Sequence, residues 1–304
     1  MGSRLGPIVA NGGKRTAILF FLSSLFFLTM EVAAARALGG RIPAMQMALV
    51  RSIGAALVFV PFVIQSGGRV YRTRQLPLHL VRGCLSVVGL WCYFVVFANL
   101  PLAEATTITY SQVFFLTFFA TVLLGEAVSV VRWSATLVGL IGVALVMRPA
   151  FEVYNGAYFV ALLSAVLGAA LYAVTKVLTA SDKPVTVMIY VATMTLGAYV
   201  LPGIAVWRHP SFDEAILLLV IGIFGPLGQY LGIRAFELAD ASFLAPFDYL
   251  RLVFAVLVGV ALFGELPNFW GLIGTMVIVF GALVVAVGGG GENIIVEERD
   301  IRGS

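Results

Sequence analysis

Four ionisable side chains interrupt the long apolar stretches of this 304-residue sequence: Glu31, Arg51, Asp248 and Arg251. Asp248 and Arg251 are three residues apart, so on a helix they share one face and can neutralise each other. They could also bind a zwitterion, because Asp248 would attract an ammonium group and Arg251 a carboxylate. A structural ion pair that tolerates burial is the alternative.

A second group of side chains with binding chemistry occurs in neighbouring apolar stretches. Tyrosine and tryptophan rings can form an aromatic wall that attracts cations, and glutamine amides can hydrogen-bond a substrate. Packing between helices and anchoring at a membrane interface are their alternative roles. The predicted substrate-binding residues are Tyr110, Gln112, Asp248, Tyr249, Arg251, Tyr93, Gln229, Trp91, Gln46 and Tyr172.

Three glutamates have other predicted roles. Glu31 lies within the first apolar stretch, where a charged carboxylate is costly to bury, so it is the candidate site for a coupling proton. An ion pair with Arg36 or contact with the outer water are the alternatives for Glu31. Glu126 and Glu265 each follow a glycine at the end of an apolar stretch, which favours an interfacial cap or gate.

The elements that must hold these residues are membrane-spanning helices. Hydrophobic residues make up 61% of the sequence and charged residues 11%, whereas a soluble domain carries about 25% charged residues. Runs such as 217–224 and 253–263 do not alternate as the strands of a β-barrel would. We therefore predict an all-α integral membrane protein. Its ten transmembrane helices are placed near 16–38, 43–65, 76–98, 101–124, 131–149, 154–180, 184–206, 214–237, 241–263 and 268–288.

The ten predicted helices form two sets of five that resemble each other. With an offset of 139 residues, the fourth and fifth helices align with the ninth and tenth without a gap, and Tyr110 meets Tyr249. An odd number of helices per copy inverts the second copy, and two inverted five-helix repeats are typical of secondary transporters with a midplane site. The predicted domains are 1–149 (N-terminal five-helix repeat), 150–290 (C-terminal inverted five-helix repeat) and 291–304 (flexible cytoplasmic tail).

The distribution of basic residues predicts the orientation in the membrane. With the N-terminus in the cytoplasm, thirteen Lys and Arg residues lie on the cytoplasmic side and four lie outside. Cytoplasmic loops are enriched in Lys and Arg, so both termini are predicted to be cytoplasmic, in a bacterial inner membrane. A cleavable signal peptide is the alternative for the first stretch, but its removal would break the five-plus-five pattern.

Several segments resemble one family of transporters. They are 247–254 with 263–265, 100–105 with 125–126, Arg51, and Arg148-Pro149. These segments are similar to the ten-helix drug/metabolite transporter superfamily of the EamA type, and the similarity extends over nearly the whole chain. The resemblance implies export of small metabolites, with amino-acid exporters among the best-known members. It also implies a central cavity lined by helices one to four and six to nine, with the fifth and tenth helices at the periphery.

Other kinds of chemistry lack their sequence patterns here. There is no G-x-x-x-x-G-K-[ST] phosphate loop, and His79 and His209 lie at predicted helix edges, away from any zinc or Ser-His arrangement. Cys84 and Cys92 are eight residues apart on one predicted helix, too far to pair, and are assigned to packing. We therefore predict no enzyme activity, no metal and no cofactor. The net charge of +4 forms no basic stripe, so no nucleic-acid partner is predicted.

The predicted function is that of a secondary transporter that exports amino acids or related small metabolites by alternating access. Its predicted partners are a small-molecule substrate, the lipid bilayer and a coupling proton, and a monomer or weak dimer is expected. An intramembrane enzyme or a lipid scramblase that uses the same cavity is the alternative, and a structural membrane protein is a third. A clustered Ser/His or carboxylate set would favour the enzyme, and the sequence contains none.

Overall fold

The computed structural model describes residues 11–124, 130–146, 155–179, 181–238, 250–266 and 269–280. These ranges are almost entirely helical and contain no strand. Their helices are α1 (Asn11–Ala37), α2 (Ala44–Ser66), α3 (Leu76–Asn99), α4 (Leu102–Tyr110), α5 (Gln112–Leu124), α6 (Val130–Val146), α7 (Ala157–Thr179), α8 (Pro184–Ala205), α9 (Phe212–Leu238), α10 (Leu250–Phe263) and α11 (Phe269–Phe280).

Six helices, α1 to α3 and α7 to α9, are long and apolar enough to cross a membrane. Their ends agree with six of the predicted spans to within five residues. Three shorter apolar helices, Thr136–Val146, Leu250–Phe263 and Phe269–Phe280, fall within the predicted fifth, ninth and tenth spans. The protein is therefore an all-helical integral membrane protein.

The fourth predicted span is interrupted at Ser111. Helix α4 ends at Tyr110 and α5 begins at Gln112. The Ser111 hydroxyl donates to the carbonyl oxygen of Ile108 over 2.6 Å. A serine that bonds a nearby carbonyl competes with the hydrogen bonds of the helix. Two of the predicted binding residues, Tyr110 and Gln112, thus flank a break in a membrane helix.

Three helix pairs form the body of the bundle. Helix α1 packs extensively on α9, α2 on α8, and α3 on α7. Helix α2 also packs on α9 and α3 on α8, while α4 contacts both α7 and α10. Buried side chains that join five of these helices are Met47, Phe94, Ile108, Tyr158 and Ile221. Many other large apolar side chains are exposed on the outside of the bundle, where the surrounding lipid is itself apolar.

Helices α2 and α9 come into backbone contact at Gly54 and Gly222. A Cβ atom placed on Gly54 would lie 1.7 Å from the carbonyl oxygen of Gly222. Helices in lipid rely on small residues for approaches of this kind, because dispersion contacts replace the hydrophobic effect there.

We expect Gly54→Ala to destabilise the protein, because the opposing backbone cannot move aside as a flexible side chain can. Overpacking typically costs about 1–3 kcal/mol, which should lower the midpoint of thermal unfolding in detergent. Gly197→Ala is the matched control, since Gly197 lies in α8 and a Cβ atom there meets no atom within 4 Å. Equal midpoints for the two variants would contradict the close contact of α2 with α9.

Candidate functional site

A cavity of about 360 Å³ lies in the middle of the bundle. Helices α1 to α5 and α7 to α10 all contribute described residues to its wall, whereas α6 and α11 contribute none. The family resemblance implies the same division, because α6 and α11 lie in the fifth and tenth predicted spans, which it places at the periphery. The volume is in the range of sites that enclose small molecules, about 300–1,000 Å³.

The cavity wall combines aromatic rings with hydrogen-bonding groups. Five predicted binding residues line it: Tyr93, Tyr110, Gln112, Gln229 and Arg251. They come from α3, α4, α5, α9 and α10, so they meet only in the folded bundle. Two further predicted residues, Asp248 and Tyr249, lie outside the described residues.

Three predicted binding residues lie elsewhere in the structure. Trp91 and Tyr172 are 36% and 58% exposed and do not line the cavity. Gln46 is fully buried at the start of α2, where its amide bonds both the backbone N–H and the carbonyl oxygen of Arg208, over 3.0 and 2.9 Å. These three residues therefore do not line the cavity. The sequence predicts their depth along a helix, but the helix's rotation determines the side to which they point.

Glu31 forms an ionic contact inside the bundle. Its carboxylate is fully buried, and its Oε1 accepts a hydrogen bond from Arg51 Nε over 2.6 Å. The hydroxyl of Tyr93 donates to Glu31 Oε2 over 3.4 Å. Arg51 and Tyr93 both line the cavity, whereas Glu31 lies behind them. Arg51 therefore has a carboxylate on one side and the cavity on the other.

Helix α9 leaves the space that the Glu31 carboxylate fills. A Cβ atom on Gly225 would lie 2.3 Å from Glu31 Oε1. Close to this point, the hydroxyl of Ser24 donates to the carbonyl oxygen of Gly228 over 2.7 Å and joins α1 to α9. The position of Glu31 thus depends on the glycines of α9.

The alternatives for Glu31, a pair with Arg36 or contact with outer water, are both wrong in this structure. Arg36 Nε instead contacts Glu265 Oε1 over 2.7 Å. Glu265 Oε2 accepts a hydrogen bond from the N–H of Leu102 over 2.9 Å, so Glu265 also caps the start of α4. Residues 31 and 36 lie on different sides of α1, and the neighbouring helices decide the partner of each.

A second polar cluster joins the α2–α3 segment to the α7–α8 segment. His79 Nε2 lies 2.7 Å from Asp182 Oδ2, and the Thr73 hydroxyl donates to the same oxygen over 2.5 Å. These two contacts, with Thr73 the stronger, hold the pKa of the Asp182 carboxyl below its ordinary value. The Tyr190 ring stacks on His79 with 4.3 Å between centroids. This cluster is outside the cavity wall.

Several cavity residues are not among the predicted substrate-binding residues. They are the hydroxyl side chains Thr29, Ser86, Thr106, Thr109, Ser164 and Thr195, together with Arg51, which the sequence marks only as an ionisable group within an apolar stretch. On α3 the lining positions are 86, 89, 90, 93 and 97. This spacing of three or four residues marks one helix face, so small polar residues in register with Tyr93 could have been found from the sequence. Within the described ranges, no cluster of His, Cys, Asp and Glu is placed to hold a metal ion.

The helices, with apolar outer faces, thus surround a cavity lined by both apolar and hydrogen-bonding side chains, an arrangement that suits a membrane transporter. Residues 14–148 and 155–287 each match the EamA-like transporter family. The chain belongs to this family, and it is a membrane transporter of the EamA type. The family and its named relatives are transporters rather than enzymes.

The chain is similar over most of its length to transporters with different substrates. It is 29% identical to the S-adenosylmethionine uptake transporter of Rickettsia conorii, covering 87% of this chain and 90% of the relative. It is 30% identical to the riboflavin transporter of Vibrio cholerae, covering 80% and 82%. It is 28% identical to the pseudopaline exporter of Pseudomonas aeruginosa, covering 90% and 96%.

One solved structure has the same overall fold. A crystal structure of a protein 21% identical in sequence superposes with a TM-score of 0.60, over 90% of this chain and 98% of the other. At this identity the likeness concerns the fold alone.

Proposed function

We propose that this transporter carries amino acids or amino-acid derivatives with a free carboxylate, by alternating access across the bacterial inner membrane. The observation that supports this substrate class is the charge of the cavity wall. Among its described residues the charged side chains are Arg51 and Arg251, with no aspartate or glutamate. Arginine is well suited to binding carboxylates, because its planar fork donates two parallel hydrogen bonds.

One of the substrates named for the relatives belongs to the same class. S-adenosylmethionine, which the Rickettsia relatives take up, retains the α-amino and α-carboxylate groups of methionine. In the proposed site Arg251 binds the carboxylate and Asp248, three residues earlier, attracts the ammonium group. The aromatic rings of Tyr93 and Tyr110 border the remaining space.

The direction of transport follows the gradients that the cell maintains. Relatives are named for both uptake and export. Alternating access needs no fixed direction, because the same site faces each side in turn. Export, the direction expected from the sequence, then applies when the substrate is more concentrated inside.

In the proposed mechanism the two halves that rock against each other are inverted repeats, 1–149 and 150–290, with ten spans in total. Two features support this arrangement. The family match falls once in each half. The contact of α1 with α9 also has a counterpart in the contact of α7 with α3, since the repeat relates α1 to α7 and α3 to α9.

This topology predicts the sides on which two positions lie. Reporter fusions after residues 150 and 304 should report opposite sides of the membrane, with residue 304 in the cytoplasm, because five spans separate the two points. An alkaline phosphatase and a fluorescent protein at each site give complementary readouts. The same side for both fusions would contradict the inverted repeat.

Exchange in proteoliposomes tests the substrate class. Purified protein is reconstituted with unlabelled compound inside, and labelled compound is added outside. We expect exchange of methionine or S-adenosylmethionine above the level of empty vesicles, and none of riboflavin, which has no carboxylate. Exchange of riboflavin alone would contradict the proposed substrate class. Movement of labelled phospholipid between leaflets, assayed in the same vesicles, would instead favour the scramblase.

A further inference from the structure

The Glu31–Arg51–Tyr93 cluster places a carboxylate just behind the cavity wall. Glu31 has no exposed surface, whereas 17% of the Arg51 side chain is exposed. Arg51 Nε contacts Glu31 Oε1, and the Arg51 side chain also lines the cavity. A pair that served only to join α1 to α2 would not need its arginine in the substrate cavity.

The helices around Glu31 carry the ionisable side chains that its charge can affect. Helix α9 presents the backbone of Gly225. Among the described residues of the cavity wall, the ionisable side chains are Arg51 on α2, Tyr93 on α3, Tyr110 on α4 and Arg251 on α10. Of these, Arg51 and Tyr93 contact Glu31. Arg36, on the same helix as Glu31, is engaged by Glu265. Arg51 is therefore the cation that the Glu31 charge directly controls.

We propose that Glu31 is the binding site of a coupling proton, and that the Glu31 carboxylate and the substrate carboxylate bind Arg51 in turn. When Glu31 takes a proton from water it becomes neutral and no longer competes for Arg51. The Arg51 guanidinium then binds the substrate carboxylate together with Arg251, so Arg51 again faces one negative charge. When the substrate leaves, Glu31 gives its proton back to water and pairs with Arg51 again.

Proton and substrate therefore bind together and cross the membrane in the same direction. An inward proton gradient then favours uptake, and export requires an outward substrate gradient that exceeds it. Tyr93 is the positioning residue of this exchange, because its hydroxyl contacts Glu31 Oε2 and also faces the cavity. The exchange at Arg51 rests on the proposed function, whereas the proton site at Glu31 can be tested without any substrate.

The first test is infrared spectroscopy of the full-length protein in lipid nanodiscs without substrate. As the pH falls from 9 to 4, a carbonyl band of a protonated carboxylic acid should appear, and Glu31→Gln should remove it. Glu104→Gln is the matched control, since Glu104 is also buried but bonds Tyr158 and lies outside the cavity wall. No band that depends on Glu31 at any pH in this range would overturn the proton site.

The second test measures the affinity for S-adenosylmethionine from pH 5 to 9. One proton taken up with the substrate makes the affinity of the unmodified protein fall by up to about tenfold per pH unit above the range in which Glu31 is protonated. In Glu31→Gln this dependence should vanish, while Glu104→Gln keeps it. The probe's own amino group titrates equally in all three proteins.

The outcomes of the two tests separate the two claims. The same pH dependence in Glu31→Gln and in the unmodified protein would overturn the exchange at Arg51. Absence of S-adenosylmethionine binding in the unmodified protein would remove this compound from the proposed substrates, and the infrared band would then decide the proton site alone.

Discussion

Arg251→Gln is expected to lower transport of carboxylate-bearing substrates by about 10- to 100-fold. The physical reason is the loss of a charged hydrogen bond to the substrate, which contributes about 1.5–3 kcal/mol, and each 1.4 kcal/mol is a factor of ten. Arg251 lines the cavity from α10, as Tyr110 and Gln112 do from the two sides of the break between α4 and α5. Exchange of labelled methionine or S-adenosylmethionine in proteoliposomes measures the effect.

Arg82→Gln is the matched control for this loss. Arg82 is another arginine within a membrane helix, but it is buried, its Nε donates to Thr175 over 2.8 Å, and it does not line the cavity. Both variants lose one charge, so a general effect on folding should appear in both. Equal transport by the two variants would remove Arg251 from the substrate site.

The pair that the sequence predicts between Asp248 and Arg251 complicates the single change, because removing one member of a buried pair strands the other at about 3–5 kcal/mol. The double change Asp248→Asn with Arg251→Gln removes both charges. We expect this variant to remain stable in detergent and to lose substrate binding. Normal transport by the double variant would make the pair structural and would direct attention to Arg51, Tyr93 and Gln229.

Arg36→Gln is expected to have the second large effect, a shift of the protein towards a state open to the outside. Arg36 on α1 contacts Glu265, which follows α10 and caps α4, so this pair joins the two halves at one end of the bundle. Because Glu265 retains its cap when Arg36 is changed, Arg36→Gln isolates the ion pair. A rocking transporter must break contacts of this kind to open.

The measurement for Arg36→Gln is the rate at which an impermeant thiol reagent added outside reacts with a cysteine at Gln112. We expect the rate to rise several-fold and transport to fall. Arg41→Gln is the control, because Arg41 is more than half exposed and its pair with Glu214 is long, at 3.9 Å, so its contribution is small. Equal rates in the two variants would show that the Arg36–Glu265 pair does not hold the protein closed.

The helices are the part of the structure that the sequence predicts well. In lipid, the backbone N–H and C=O groups of long apolar stretches such as 44–66 and 76–99 must bond within a helix. The ends of these stretches therefore predict the ends of the helices almost to the residue. The break at Ser111 was not predicted, because it depends on one hydroxyl that bonds a nearby carbonyl. The hydrophobicity of the sequence does not reveal a hydrogen bond of this kind.

The site is predicted less completely than the helices. Tyr93, Gln112 and Arg251 line the cavity, and the sequence singles them out as an aromatic ring, an amide and an ionisable group within apolar stretches. Trp91 lies only two residues from Tyr93 yet points away from the cavity, since the direction of a side chain depends on packing. The partner of Glu31 was also missed, because α2 and α9 bring Arg51 and Gly225 to it only in the folded bundle.

Side-specific labelling of a cysteine at Gln112 tests alternating access through this cavity most directly. The cysteine is introduced into a protein lacking Cys84 and Cys92, and an impermeant thiol reagent is added to intact cells or to inverted membrane vesicles. A cysteine at Tyr172, which faces away from the cavity, is the control and should stay unreactive from both sides. We predict that the cysteine at Gln112 reacts from both sides and that transported substrate slows the reaction. Reaction from one side only, or from neither, would contradict a cavity that opens to each side in turn.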